Sequence, residues 1–130
     1  MDVNNINVLA LAYLGDSIYE FYVREYLIKK GISKVDMLQK EAINYVSAKS
    51  QAKIITDLIE NGILSQEEID IVKRGRNYKK ERHPRHTNII TYKMSTGFET
   101  LIGYLYLNNN EKRMKEIITY VLGGPYEEDN

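Results

Sequence analysis

The sequence predicts an all-α single domain, and three observations carry that prediction. Only two prolines occur in 130 residues, so few positions deny the backbone a helical hydrogen bond. No stretch alternates apolar and polar residues as a half-buried strand would. Apolar residues recur instead at helical spacing, between glycines and short capping side chains. A chain of this length can enclose a sizeable core, and 43% apolar with 28% charged residues is a globular balance.

The elements follow in order. A first helix is expected from about Asn7 to Lys30, stopping at Gly31, which suits the position just past a helix end. Asp36 offers an N-cap for a second, short helix through about Tyr45. Ser47 caps a third over AKSQAKIITDLIEN, closed by Gly62. Ser65-Gln66-Glu67-Glu68 has capping-box spacing and starts a fourth, expected to end near Arg74. Residues from about 75 to 91 read as a long basic loop, and such loops in a small domain are commonly functional. A further helix is expected from about Tyr92 to Leu107, then a turn at Asn108-Asn109-Asn110, then a last helix to Leu122. Residues 125–130 form a short acidic tail.

With no cysteine, disulfides, zinc–thiolate sites and thiol nucleophiles are excluded. No apolar run approaches the roughly 18 residues of a membrane span, and no basic-apolar leader opens the chain. No membrane association and a cytoplasmic location are therefore expected. A net charge of zero hides a strong asymmetry. Lys73 to His86 packs seven Lys/Arg and two His against one acid, while Glu127, Glu128 and Asp129 crowd the other end. For a polyanionic partner the local charge counts for more than the mean.

Two helices carry an acid among small residues. In LAYLGDSIYE, at about 100° per residue, Leu11, Leu14 and Ile18 share one side. Asp16 lies opposite, with Ala12 and Glu20 one turn either way, and Leu9 and Val23 on the same face. Both faces are largely apolar, so the Asp16 face is expected to meet another surface. In STGFETLIGYLYL, Phe98, Leu101, Ile102 and Leu105 form the core stripe, and Thr96, Glu99, Thr100 and Gly103 a second face open to close approach. Should the two helices pack side by side, Asp16 and Glu99 converge. Converging carboxylates repel unless one takes a proton or a cation sits between them. Oxygen ligands point to a hard ion such as Mg²⁺, and Mg²⁺ beside a basic loop suggests phosphodiester chemistry. A capped or solvated pair of acids is the other reading of the same spacing.

LAYLGDSIYE followed by FETLIGYLYL resembles the two signature helices of the ribonuclease III catalytic domain. Leu14-Gly15-Asp16 and Glu99-Thr100-Leu101-Ile102-Gly103 match both motif cores, and VSAKSQA (Val46 to Ala52) and KRGRN (Lys73 to Asn77) are similar to the small subfamily called Mini-ribonuclease III. The similarity spans almost the whole of residues 1–130, with no double-stranded-RNA-binding segment after it. The full-length family lines each site with four acids; here Ala12 and Thr96 stand where two of them would be. The mini subfamily shares that reduction, so the resemblance still implies an active enzyme, with the metal count left open.

What the resemblance implies is a ribonuclease III-type helical domain that dimerises through the signature helix. Asp16 and Glu99 would be its catalytic metal ligands, for Mg²⁺. The implied activity is cleavage of double-stranded RNA to 5′-phosphate and 3′-hydroxyl ends. Its implied role is maturation of the bacterial large-subunit (23S) ribosomal RNA precursor, with a ribosomal protein on the precursor as a possible partner. A-form RNA is gripped mainly by phosphates and 2′-hydroxyls, so Lys73, Arg74, Arg76, Asn77, Lys79, Lys80, Arg82 and Arg85 are the expected contacts, with Lys49 at a helix start. His83 and His86 are expected to be no more than RNA contacts, Glu20 to be structural, and most of the tyrosines to serve core and dimer packing. The competing reading is a non-catalytic RNA-binding module on a decayed domain of the same family. The missing acids favour it, and the retained Asp16 and Glu99 oppose it.

Overall fold

In the computed structural model, which describes residues 1–78 and 88–123, helices begin where short side chains satisfy the first backbone N–H groups. Asn7 Oδ1 accepts from Leu9 N–H at 2.7 Å and opens α1 (Val8–Lys29), which ends before Gly31 at φ +104°. Ser47 Oγ accepts from Ser50 N–H at 3.1 Å and opens α3 (Ala48–Glu60), which is followed by Gly62 at φ +69°. Both glycines take left-handed values that other residues avoid. At Ser65 the capping box forms in full: Ser65 Oγ accepts from Glu68 N–H and Glu68 Oε1 from Ser65 N–H, opening α4 (Gln66–Asn77). The chain closes with α5 (Ile89–Leu107), a turn with Asn109 at φ 58°, and α6 (Glu111–Gly123).

Three expectations change. α2 covers Val35–Val46 with Lys34 at its N-cap and no side-chain cap. Asp36 lies inside the first turn, its Oδ1 accepting from Met37 N–H at 3.0 Å, where a negative charge still complements the helix dipole. α4 continues past Arg74 to Asn77, because packing of Gly75 against α5 outweighs the poor helix propensity of glycine. α5 starts at Ile89 rather than Tyr92, since Asn88 Oδ1 accepts from Thr91 N–H at 2.8 Å. The expected loop thus shrinks from both ends, and its middle, with the acidic tail, lies outside the described residues.

α5 is the axis of the domain. It packs most extensively on α1, then on α4 and α3. Phe98, Leu101 and Ile102 are fully buried, as the expected stripe requires. Tyr19 of α1 meets Phe98 edge-on, ring centroids 5.0 Å apart, and donates its hydroxyl to the Tyr45 carbonyl at 3.1 Å. Burial, with Tyr45 beside it, pushes the Tyr19 phenol above the ordinary tyrosine range. α6 is locked on by Arg113, whose Nε and Nη2 donate to Glu68 Oε2 at 2.8 Å and Oε1 at 2.9 Å. Nη2 also donates to the Ile63 carbonyl at 2.6 Å. These bonds hold the Glu68 carboxyl below the usual carboxylate range. Among the tyrosines, Tyr19 and Tyr104 are buried in the domain, whereas Tyr13, Tyr78, Tyr106 and Tyr120 are exposed.

Candidate active site

The site begins with two glycines. A Cβ built on Gly15 would fall on the Glu99 carbonyl oxygen, 2.8 Å from the Glu99 carbonyl carbon and 2.9 Å from Gly103 N. One built on Gly103 would fall on the Leu11 carbonyl oxygen, 3.2 Å from Gly15 N. α1 and α5 therefore touch backbone to backbone, which no side chain at either position would permit. Asp16 follows Gly15, and Glu99 owns the carbonyl that Gly15 meets. The two acids leave facing helices at one level of the contact.

Asp16 is exposed and Glu99 half-buried. The Asp16 side chain has no hydrogen bond or ion pair with another described residue. Among the described residues no cluster of three His, Cys, Asp or Glu is present. Two carboxylates of this kind fit a hard cation that keeps most of its shell as water. They do not make a closed protein cage. Ala12 and Thr96, at the positions of the two absent acids, are buried at 6% and 5% exposure. Thr96 spends its hydroxyl on the Tyr92 carbonyl at 3.0 Å. Glu20 is engaged by Arg24 at 2.8 Å.

The basic residues divide by position. Lys73, Arg74 and Asn77 are exposed and Arg76 half-buried on the last turns of α4. Arg74 Nη2 donates to the Asn4 carbonyl at 3.4 Å, and Arg76 Nε to Asn77 Oδ1 at 3.1 Å. Lys49 is exposed in the first turn of another helix, α3. Lys79, Lys80, Arg82 and Arg85, with His83 and His86, lie outside the described residues.

Val23, on the helix face that carries Asp16, is fully buried, so along Val23 that face meets the rest of the domain. The large apolar residues that α1 leaves exposed are Tyr13 at 84%, Phe21 at 60% and Ile28 at 58%, Tyr13 nearest Asp16 round the helix and the other two on another side of it. Their recurrence at seven or eight residues was the signal to follow. The helix is apolar nearly all round, and packing alone selects which side turns inward.

Comparison with known proteins agrees with this architecture. The family model described as the Ribonuclease III domain matches residues 9–110. The chain is 42% identical over 122 residues to a Mini-ribonuclease 3 of Streptococcus pneumoniae, covering 94% of this chain and 95% of that one. It is 47% identical over 117 residues to a Mini-ribonuclease 3 of Brevibacillus brevis, covering 90% and 86%. The fold matches the crystal structure of a Fusobacterium nucleatum protein with TM-score 0.81 and 34% identity, over 96% of this chain and 98% of that one. No helix among the described residues is long and apolar enough to cross a membrane. With the family model matching residues 9–110 and relatives 42% and 47% identical over most of both chains, the protein belongs to the ribonuclease III family, beside the Mini-ribonuclease 3 proteins, and is an endoribonuclease.

Proposed function

We propose that this chain cleaves double-stranded RNA in a Mg²⁺-dependent reaction and matures the ends of a bacterial 23S ribosomal RNA precursor in the cytoplasm. The observation that carries the reading is the Gly15–Glu99 backbone contact, which brings an exposed aspartate and a glutamate to one level of two adjoining helices. Asp16 and Glu99 would hold the ion. Bound there, it supplies Lewis-acid polarisation of the scissile phosphate. The α1–α5 backbone contact fixes the two helix positions from which the carboxylates project, which limits the rearrangement needed as the phosphate enters. Lys73, Arg74, Arg76 and Asn77, with Lys79, Lys80, Arg82, Arg85 and Lys49, grip the RNA backbone. A water oxygen bonds to phosphorus and the bond to the 3′ oxygen breaks, leaving a 5′-phosphate and a 3′-hydroxyl.

The apolar Tyr13, Phe21 and Ile28 that α1 leaves exposed support a homodimer through α1, in which each protomer cuts one strand. A ribosomal protein on the precursor would be a further partner. The test is cleavage of a long double-stranded RNA by the purified protein, with Mg²⁺ and with EDTA, alongside Asp16→Asn and Glu99→Gln. Cutting should need the metal and vanish in both variants while circular dichroism shows an unchanged fold. Wild-type rates in either variant would overturn the site.

A further inference from the structure

A second backbone contact grips α5 on its other side. A Cβ on Gly75 of α4 would fall on Thr100 Oγ1, 2.8 Å from Thr100 Cβ and 3.1 Å from Gly97 Cα. One on Gly97 would lie 2.8 Å from the Val72 carbonyl oxygen and 3.0 Å from Val72 Cγ1. α4 and α5 thus also meet closely, though less closely than α1 and α5. Thr100 joins the two contacts. It is fully buried, donates its hydroxyl to the Thr96 carbonyl at 2.7 Å, and sets the same oxygen 3.4 Å from the Val8 carbonyl of α1.

The residues on either side of Gly75 are Lys73, Arg74, Arg76 and Asn77, and those on either side of Gly97 and Gly103 include Glu99. The basic last turns of α4 pack directly on the helix that carries Glu99. Phosphate contacts set the register of a protein on a duplex, and a misplacement of about 1 Å at a reacting group can cost about 100-fold in rate.

We infer that Gly75 and Gly97 are positioning residues: their contact sets the distance from the phosphate-gripping end of α4 to the Asp16–Glu99 pair, and so presents the scissile phosphate in register. The inference rests on the assignment of Asp16 and Glu99 as the cutting pair. It explains why two glycines stand in helix interiors, where their propensity is poor, and why a buried threonine faces one of them.

The experiment measures kcat and KM of Gly75→Ala and Gly97→Ala on a long double-stranded RNA with Mg²⁺, well below each variant's melting temperature. RNA affinity is measured separately in EDTA. The expected result is a fall in kcat of about tenfold or more, with KM and affinity nearly unchanged. Adding Thr100→Ala to Gly75→Ala removes the oxygen that the new methyl meets, and should recover part of the lost kcat. Gly97→Ala meets atoms less closely, and it decides the matter should Gly75→Ala fail to fold. A wild-type kcat in the folded variants, or a loss confined to KM, overturns the inference. Asp16→Asn in the same assay separates the two readings. An inactive Asp16→Asn beside unimpaired glycine variants refutes only the positioning role, whereas an active one refutes the cutting pair itself.

Discussion

Replacing Gly15 with alanine gives the sharpest test of how this site is built. The added methyl would stand 2.8 Å from the Glu99 carbonyl carbon and 2.9 Å from Gly103 N. Ordinary carbon contacts are about 3.5–4.0 Å, so α1 and α5 must separate by roughly 1 Å. Overpacking of this kind costs about 1–3 kcal/mol. The upper end applies, because the atoms met are backbone in a helix and cannot swing aside. Alanine returns about 1 kcal/mol of helix propensity, leaving a net loss of about 2 kcal/mol. At about 4 °C per kcal/mol for a domain of this size, the melting temperature should fall by about 8 °C. Activity should fall much further, by about 100-fold, because Asp16 and Glu99 separate with their helices. Thermal unfolding followed by circular dichroism, and single-turnover cleavage at 25 °C with saturating Mg²⁺, measure the two effects. An alanine variant that melts at or above the wild-type temperature and cuts at the wild-type rate would refute the backbone-contact account.

Arg113→Ala should destabilise the fold by about 2 kcal/mol, less than the 3–5 kcal/mol of a fully buried pair, since Arg113 retains 28% side-chain exposure. The folded-state Glu68 carboxyl is held low by Arg113, so its contribution is present above the ordinary glutamate value of about 4.3. It fades as the pH falls below that value. The deficit of Arg113→Ala in urea unfolding should therefore shrink on acidification from neutral pH; an equal deficit at both would contradict the ion-pair account. Tyr19→Phe leaves the Tyr45 carbonyl without its 3.1 Å donor and should cost about 1 kcal/mol in the same assay. No change would mean that water replaces the hydroxyl. Neutralising Lys73 and Arg74, or Lys79, Lys80 and Arg82, should weaken RNA binding and flatten its salt dependence. The slope should drop by somewhat under one for each phosphate that is no longer neutralised, and an unchanged slope would remove that set from the RNA interface.

Much of this protein was legible in the sequence alone. Asn7, Ser47 and Ser65 announced three helix starts, because a cap is a bond to a backbone group two or three residues away. The all-helical class followed from periodicity, and Asp16 and Glu99 are proposed from motif cores that lie within single helices. What stayed hidden depended on partners far along the chain. α4 runs through Gly75 because α5 lies against it, and the sequence shows only a residue that favours stopping. Glu68 reads as half of a capping box, yet its stronger partner is Arg113, 45 residues on. On α1 the apolar residues ring the helix, so periodicity left its inward side undecided. The tertiary structure turned Val23 in and Phe21 out. The same holds for Asp16 and Glu99: the sequence names them, but only the meeting of Gly15 with Glu99 and of Gly103 with Leu11 brings them to one level. Local chemistry is written in neighbouring letters, whereas the approach of two helices depends on atoms that neither helix contains by itself.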